Sequence, residues 1–393
     1  MSGRPPGGGH WPDLDGLRAL AITLVVARHS LRPFISEDAY APVASAGGLD
    51  LTPLLLNGWV GVDLFFVLSG FLVGRQALRG TEGLGWFWFR RAARILPAYW
   101  ACLLVVGVGL SLGRAWPRAA LDFAAHLAML QDYTGSVFVP ALWSLAVEEK
   151  FYLLVPPLVL LLRRRASPLG QMAGLAVLWA LPVAARAVLA SQQASAMSYE
   201  SYFETYRSPF HLTCESLMLG VAIAWVHERG GLARLPRRAR EVLFWAGAAG
   251  VAAWVVPSVI LRPIDVPTIV WASMSIGLGF GAMVLAAVAG PGSYSALLGR
   301  ASARPLASGS YALYLTHMLV MPVALGLSAT FPVGASVTLT ARWLRFVPWY
   351  LALSCASAWL LWRFVERPAL AWRDRVLRRS AVRTGTLQML PSA

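Results

Sequence analysis

Residues 142–165 read LWSLAVEEKFYLLVPPLVLLLRRR, an apolar run closed at its far end by Arg163, Arg164 and Arg165. A helix needs about 20 apolar residues to cross the hydrocarbon core of a bilayer, and an arginine cluster at one end marks the cytoplasmic side. Glu148, Glu149 and Lys150 sit in this run where lipid is expected. Charges in a span are costly and by default mark a function. Ser144, Glu148 and Tyr152 follow at i, i+4 and i+8, so they form one stripe along the helix, with Glu149 turned about 100° away. One segment thus predicts both a membrane helix and a polar site inside it.

The rest of the chain repeats the pattern. Of 393 residues, 57% are apolar and 13% charged, against about 45–50% and about 25% in ordinary soluble domains. A single water-soluble domain cannot hide that much apolar surface, and disorder is excluded by the same hydropathy. Apolar stretches at roughly 16–32, 54–74, 95–112, 142–162, 169–190, 209–227, 241–261, 267–290, 306–327 and 346–366 predict about ten transmembrane helices in an all-α polytopic membrane protein. The region 119–131 is weakly apolar and reads as an interfacial helix. Net charge is +15, with Lys150 the only lysine. With the N-terminus cytoplasmic, 22 arginines fall inside and 7, Arg207 among them, fall outside, which supports ten spans with both termini in the cytoplasm. Residues 1–13 read as a flexible tail, 14–370 as the membrane domain, and 371–393 as a basic cytoplasmic tail. The arginines lie in short clusters between apolar runs, so no nucleic-acid partner is expected. Cys102, Cys214 and Cys355 show neither CxxC nor metal spacing, so no disulfide framework and no metal site are expected. No signal-peptide pattern opens the chain.

Several spans carry polar groups of their own. In the first, Asp15, Arg18, Arg28 and His29 surround LRALAITLVVARH. Arg18 and His29 are 11 residues apart, about three helical turns, which places them on one face about 16 Å apart along the axis. The alternative for this pair is an arginine reaching the headgroups and a histidine satisfied by a carbonyl. The second span, GWVGVDLFFVLSGFLVG (58–74), holds Asp63 and Ser69, with Gly58, Gly61, Gly70 and Gly74 spaced for close helix approach. Arg91 and Arg94 form an i, i+3 pair before the third span, suited to phosphate or to simple cytoplasmic anchoring. Tyr311, Tyr314 and His317 lie in the ninth span, and Arg363 with Glu366 reads as an i, i+3 structural pair.

LDGLRALAI with His29, GVDLFFVLSGFLVG, RRAARILPAYW, LWSLAVEEKFY, SYALYLTH and the terminal VERP occur in that order. Together they resemble the acyltransferase-3 family of membrane O-acyltransferases over about residues 14–370. The resemblance implies transfer of an acyl group, often acetyl, from acyl-CoA to a hydroxyl of a sugar, polysaccharide, lipid or natural product such as a macrolide. It implies a multi-pass protein of the bacterial plasma membrane, with lipids and a small-molecule or carbohydrate acceptor as partners and no metal. The family's R-x10-H motif falls on Arg18 and His29, and its RxxR motif on Arg91 and Arg94. Lys150 stands where the family usually has glutamine, which weakens any role for it. With about 23 residues past position 370, no fused hydrolase domain is expected.

On this reading Arg18, Arg91 and Arg94 bind the cofactor, Arg91 and Arg94 holding a CoA phosphate and the pantetheine arm running along the Arg18–His29 face, and His29 is the general base. Glu148, or less favourably Asp15 or Asp63, orients the imidazole. Asp63, Glu149, Tyr152, Tyr314 and His317 complete the substrate site. A nucleophilic His29 forming an acyl-enzyme stays open, and so does a transporter or flippase for a glycoconjugate, in which the same charges would couple to substrate. Acceptor choice is expected in 33–53, 113–140 and 191–208, where Tyr199, Tyr202 and Tyr206 form a candidate sugar-stacking surface or an interface belt.

Overall fold

The computed structural model describes residues 10–35, 41–80, 83–113, 116–136, 139–255, 264–301, 303–330 and 338–383. Positions 1–9 of the expected N-terminal tail and 384–393 of the basic tail lie outside them. The first helix, α1 (Pro12–Leu31), starts on proline, with Asp13 and Asp15 in its first turn and Arg28 and His29 in its last. Each charge opposes the nearer end of the helix dipole. Helix α2 (Gly61–Arg79) stops at Gly80, whose φ of 58° lets its N–H donate back to the Gln76 carbonyl. There follow α3 (Leu84–Leu112), α4 (Trp116–Leu127), α5 (Trp143–Arg165) and α6 (Pro168–Ala190). The chain continues through α7 (Glu215–Glu228), α8 (Arg237–Val255) and α9 (Val266–Ala289). The last four helices are α10 (Ala303–Thr316), α11 (Met321–Ala329), α12 (Leu339–Leu361) and α13 (Arg367–Arg383). Ser167, Asp265 and Thr338 cap α6, α9 and α12 by accepting bonds from backbone N–H groups three residues on.

Each of the ten apolar stretches holds a helix, but they are not alike. Thr52–Arg79, Leu84–Leu112, Pro168–Ala190, Val266–Ala289 and Leu339–Ser380 are long and apolar enough to cross a membrane. The pair α10 and α11, bent by 81° at its break, makes six if it counts as one span. The protein is therefore an all-α membrane protein. Helices α1 and α5 miss that standard because they carry the charged motifs, and α7 because it has only 14 residues. Helix α13 shows that 371–383 of the expected tail is helical.

Outside the helices, Ser45–Ala46 pairs antiparallel with Leu49–Asp50. The turn residues Gly47 and Gly48 have φ of 58° and 80°, the left-handed conformation that a two-residue hairpin turn needs. Part of the segment expected as the 33–53 loop is thus a hairpin, and 36–40 lie outside the described residues.

Helix α2 is the hub. A Cβ on Gly70 would strike the Leu217 carbonyl of α7, and one on Gly61 would lie 2.5 Å from the Ala21 carbonyl of α1. The glycines of the second span therefore serve close helix packing. Large apolar side chains such as Leu104, Val105 and Leu112 on α3 and Val177, Leu181 and Val188 on α6 point outward. Such outward faces suit contact with lipid tails.

Candidate active site

Helices α1, α2, α3, α5 and α10 enclose a cavity of about 410 Å³. Arg18 reaches it from α1, Arg91 and Arg94 from α3, Ser69 and Gln76 from α2, and Ser144, Glu148 and Tyr152 from α5. The stripe read from i, i+4, i+8 spacing therefore faces one space. Its polar groups are wired together. Ser69 Oγ lies 2.7 Å from the Tyr152 hydroxyl, which donates to Glu148 Oε2 at 2.9 Å. Trp88 Nε1 donates to the Tyr152 carbonyl at 3.1 Å and ties α3 to α5. The Arg91 guanidinium lies 5.1 Å from the centre of the Tyr152 ring and makes a long 3.4 Å bond to Gln76. Among the described residues neither Arg18 nor Arg94 has an ion-pair partner within 4 Å.

The opposite wall is α10. Tyr314 lines the cavity and donates to the Ala141 carbonyl at 2.5 Å, so Ser144 Oγ, 2.6 Å from the Tyr314 hydroxyl, is the donor to it. Tyr311 also lines the cavity and is anchored to the Ile95 carbonyl at 2.7 Å. One turn beyond Tyr314 stands His317, with the two rings 5.7 Å apart. His317 is the first residue past the end of α10, where the chain turns into α11. Its Nε2 lies 3.2 Å from Nδ1 of His29. The cavity thus has guanidinium groups along one part of its wall and approaches a histidine pair at another.

The other expected site residues divide between the cavity and structural contacts. Glu148 lies in the cavity bonded to Tyr152, and among the described residues no carboxylate is hydrogen-bonded to His29. Asp15 sits near the start of α1, about 21 Å along the helix from His29, and pairs with the exposed His10 at 2.6 Å. It is too far to orient the imidazole, which corrects that expectation. Asp63 is held by both nitrogens of Arg207, at 2.9 and 2.7 Å, with side chains 1% and 2% exposed. Trp59 and Trp143 lie 4.7 and 5.5 Å from that guanidinium. Asp63 therefore has its cation already, and Arg207, counted above as an outside arginine, faces protein. Glu149 is absent from the cavity wall and leaves Oε1 buried without a hydrogen bond. Lys150 donates to Asp132 at 2.7 Å and to the Met129 carbonyl at 2.5 Å, a structural tie. Arg363 stacks on Phe364 instead of pairing with Glu366, which is buried.

Tyr202 and Tyr206 are buried and stacked, Tyr202 near Ser273. Of the tyrosine cluster, only Tyr199, 5.0 Å from the Arg28 guanidinium, keeps an accessible face. Sequence reasoning did not pick out Gln76 and Ser310 of the cavity wall, the Arg207 partner of Asp63, or the contact between the two histidines. None has a local signal, since the partners are joined only by folding. Among the described residues no group of three His, Cys, Asp or Glu could hold a metal ion.

The profile of the acyltransferase-3 family, described as an acyltransferase domain, matches residues 11–363. The chain belongs to the acyltransferase-3 family. It is 27% identical over 383 residues to the peptidoglycan O-acetyltransferase OatA of Listeria monocytogenes, an overlap of 91% of this chain and 55% of that protein. It is 30% identical over 335 residues to the acyltransferase MdmB of Streptomyces mycarofaciens, covering 81% of this chain and 80% of that one. A putative O-acetyltransferase of Staphylococcus aureus is 29% identical over 172 residues, 39% of this chain and 25% of its own. The chain spans about half the length of the Listeria protein. No solved structure matches it. Within this acyltransferase-3 chain, the R-x10-H and RxxR motifs contribute Arg18, Arg91 and Arg94 to one cavity, with His29 in contact with His317.

Proposed function

We propose that this acyltransferase-3 protein moves an acyl group, acetyl in the simplest case, from acyl-CoA to the hydroxyl of a carbohydrate, lipid or glycosylated natural product. The single observation that carries the reading is the cavity with Arg18, Arg91 and Arg94 on its wall, none ion-paired among the described residues. Glu148 shares the wall but is bonded to Tyr152 and not to the arginines, and guanidinium groups left unpaired in this way suit phosphate, in which CoA is rich. The orientation is ten spans with both termini cytoplasmic, which sets the arginines toward the cytoplasm, where acyl-CoA is made.

In this reading the pantetheine arm runs from the arginines past Tyr152 and Tyr314 toward the histidines. His29 takes the acceptor hydroxyl proton as the oxygen attacks the thioester carbonyl. The C–O bond forms, the C–S bond breaks, and the proton on His29 passes to the leaving CoA thiolate. Glu148 stays with Tyr152 and Ser69 and holds the middle of the donor path. A carbohydrate acceptor is supported by the likeness to the peptidoglycan O-acetyltransferase OatA.

The experiment is acetyl-CoA turnover by purified protein in lipid nanodiscs with a panel of hydroxylated acceptors. His29→Gln is expected to lose about 10²–10⁴ in turnover while binding CoA like wild type. Full turnover in that variant would sink the assignment of His29. Absence of any CoA-dependent reaction, together with acceptor movement across a membrane, would favour transport.

A further inference from the structure

We propose that His317 is the positioning residue that fixes His29 as a base through its Nε2 atom, the two rings acting as a histidine–histidine dyad. The inference rests on the reading of His29 as general base and adds the proton arrangement around its ring. Carbonyl oxygens only accept hydrogen bonds, so a ring nitrogen facing one must carry the hydrogen. His29 Nδ1 lies 2.9 Å from the Val25 carbonyl, and His317 Nδ1 lies 3.1 Å from the Leu313 carbonyl. A neutral imidazole has one N–H, so both rings are the Nδ1–H form and both Nε2 atoms are bare.

The contact between the rings fits that assignment. His29 Nδ1–H is shared between the Val25 carbonyl and His317 Nε2, the latter at 3.2 Å. With Nε2–H on His317, two N–H groups would face each other and the Leu313 carbonyl would face a bare nitrogen. The ring centres are 4.9 Å apart and the planes tilted by 52°, so the rings meet through their edges. Among the described residues, Nε2 of His29 makes no hydrogen bond. It is the lone pair left for an acceptor hydroxyl.

His317 has nothing left for substrate. Both its nitrogens are engaged inside the protein, and its side chain has no exposed surface. Its place just beyond α10 lets it reach α1 from a different helix, which a residue on α1 could not do. When Nε2 of His29 takes the acceptor proton, Nδ1–H remains held by His317 and the Val25 carbonyl, so the ring keeps its aim. The charged or titratable neighbours of His29 are Arg28 and Arg32 in its own stretch and His317 across from it. The proton therefore stays on His29 until the leaving thiolate collects it, without relay to a carboxylate.

Three variants in nanodiscs test this. His317→Phe removes the acceptor and is expected to lower kcat about 10- to 100-fold, less than His29→Gln, with KM for acetyl-CoA and acceptor within twofold. His317→Gln can accept through Oε1 and is expected to recover most of that loss. Solid-state ¹⁵N spectra of histidine-labelled protein, assigned by difference against the variants, should show His29 as the Nδ1–H tautomer in wild type, and in His317→Phe the same tautomer, still held by the Val25 carbonyl, with its Nδ1 signal shifted by loss of the second acceptor. A rise in acceptor KM with kcat unchanged would make His317 a substrate contact instead. An Nε2–H tautomer for wild-type His29 would overturn the dyad outright. Full activity of His29→Gln would fail the underlying base assignment, a result separable from any outcome at His317.

Discussion

Two parts of the molecule hold arginines inside the helix bundle, one fully buried and one half-buried, and they treat them in opposite ways. Beneath α6, α7 and α9, Arg186 meets Glu215 at 2.5 Å and Arg207 grips Asp63 through both nitrogens. All four side chains are at most 2% exposed, and the Val270 and Leu212 carbonyls and Ser273 take up further donors. Around the cavity, Arg18, Arg91 and Arg94 have no such partners among the described residues. A buried charge is tolerable only when paired, so closed pairs mark architecture, whereas arginines left open on a cavity wall are what the proposed phosphate-bearing donor requires.

The largest expected effect strikes the closed half. Arg207→Met alone strands a buried carboxylate and should cost about 3–5 kcal/mol, read as a lowered thermal unfolding midpoint in detergent. Adding Asp63→Leu should restore most of it, because a matched apolar pair replaces the ions. A wild-type midpoint for the single variant would break the contrast between the two halves.

The open half should respond in binding instead. Arg91→Ala and Arg94→Ala are each expected to raise KM for acetyl-CoA about 10- to 100-fold, the loss of a charge-assisted phosphate contact, with little change in unfolding midpoint. Lysine at either position should rescue part of the loss, since charge returns without the fork. A shift confined to the acceptor KM would remove these arginines from the donor site.

Smaller effects sharpen the boundary. Gly70→Ala forces α2 off the backbone of α7 and should cost about 1–3 kcal/mol of stability. Lys150→Gln keeps a donor near the buried Asp132 but removes its cation, and is expected to cost about 1–3 kcal/mol with turnover per folded molecule unchanged. A large loss of turnover there would bring Lys150 back into the site.

Much of this was legible because it repeats along one helix. Apolar length gave the helices, and the period of 3.6 residues placed Ser144, Glu148 and Tyr152 on a shared face. The glycines of the second span were readable as packing because small residues recur on one side. Asp63 and Arg207 are 144 residues apart, and the two histidines 288. No local period links such positions.

The sequence by itself determined that this chain is a helical membrane protein of the acyltransferase-3 type, since apolar run length and motif order are properties of the string. Only the tertiary structure decided which charges are spent and which are available. It gave Asp63 to Arg207, Asp15 to His10 and Lys150 to Asp132, and it left Arg18, Arg91 and Arg94 on a cavity wall. It also set His317 beside His29, where among the described residues no carboxylate is hydrogen-bonded. The reason is physical: a buried polar group is satisfied by whatever the fold brings within about 3 Å, and proximity across helices is written in packing, not in spacing.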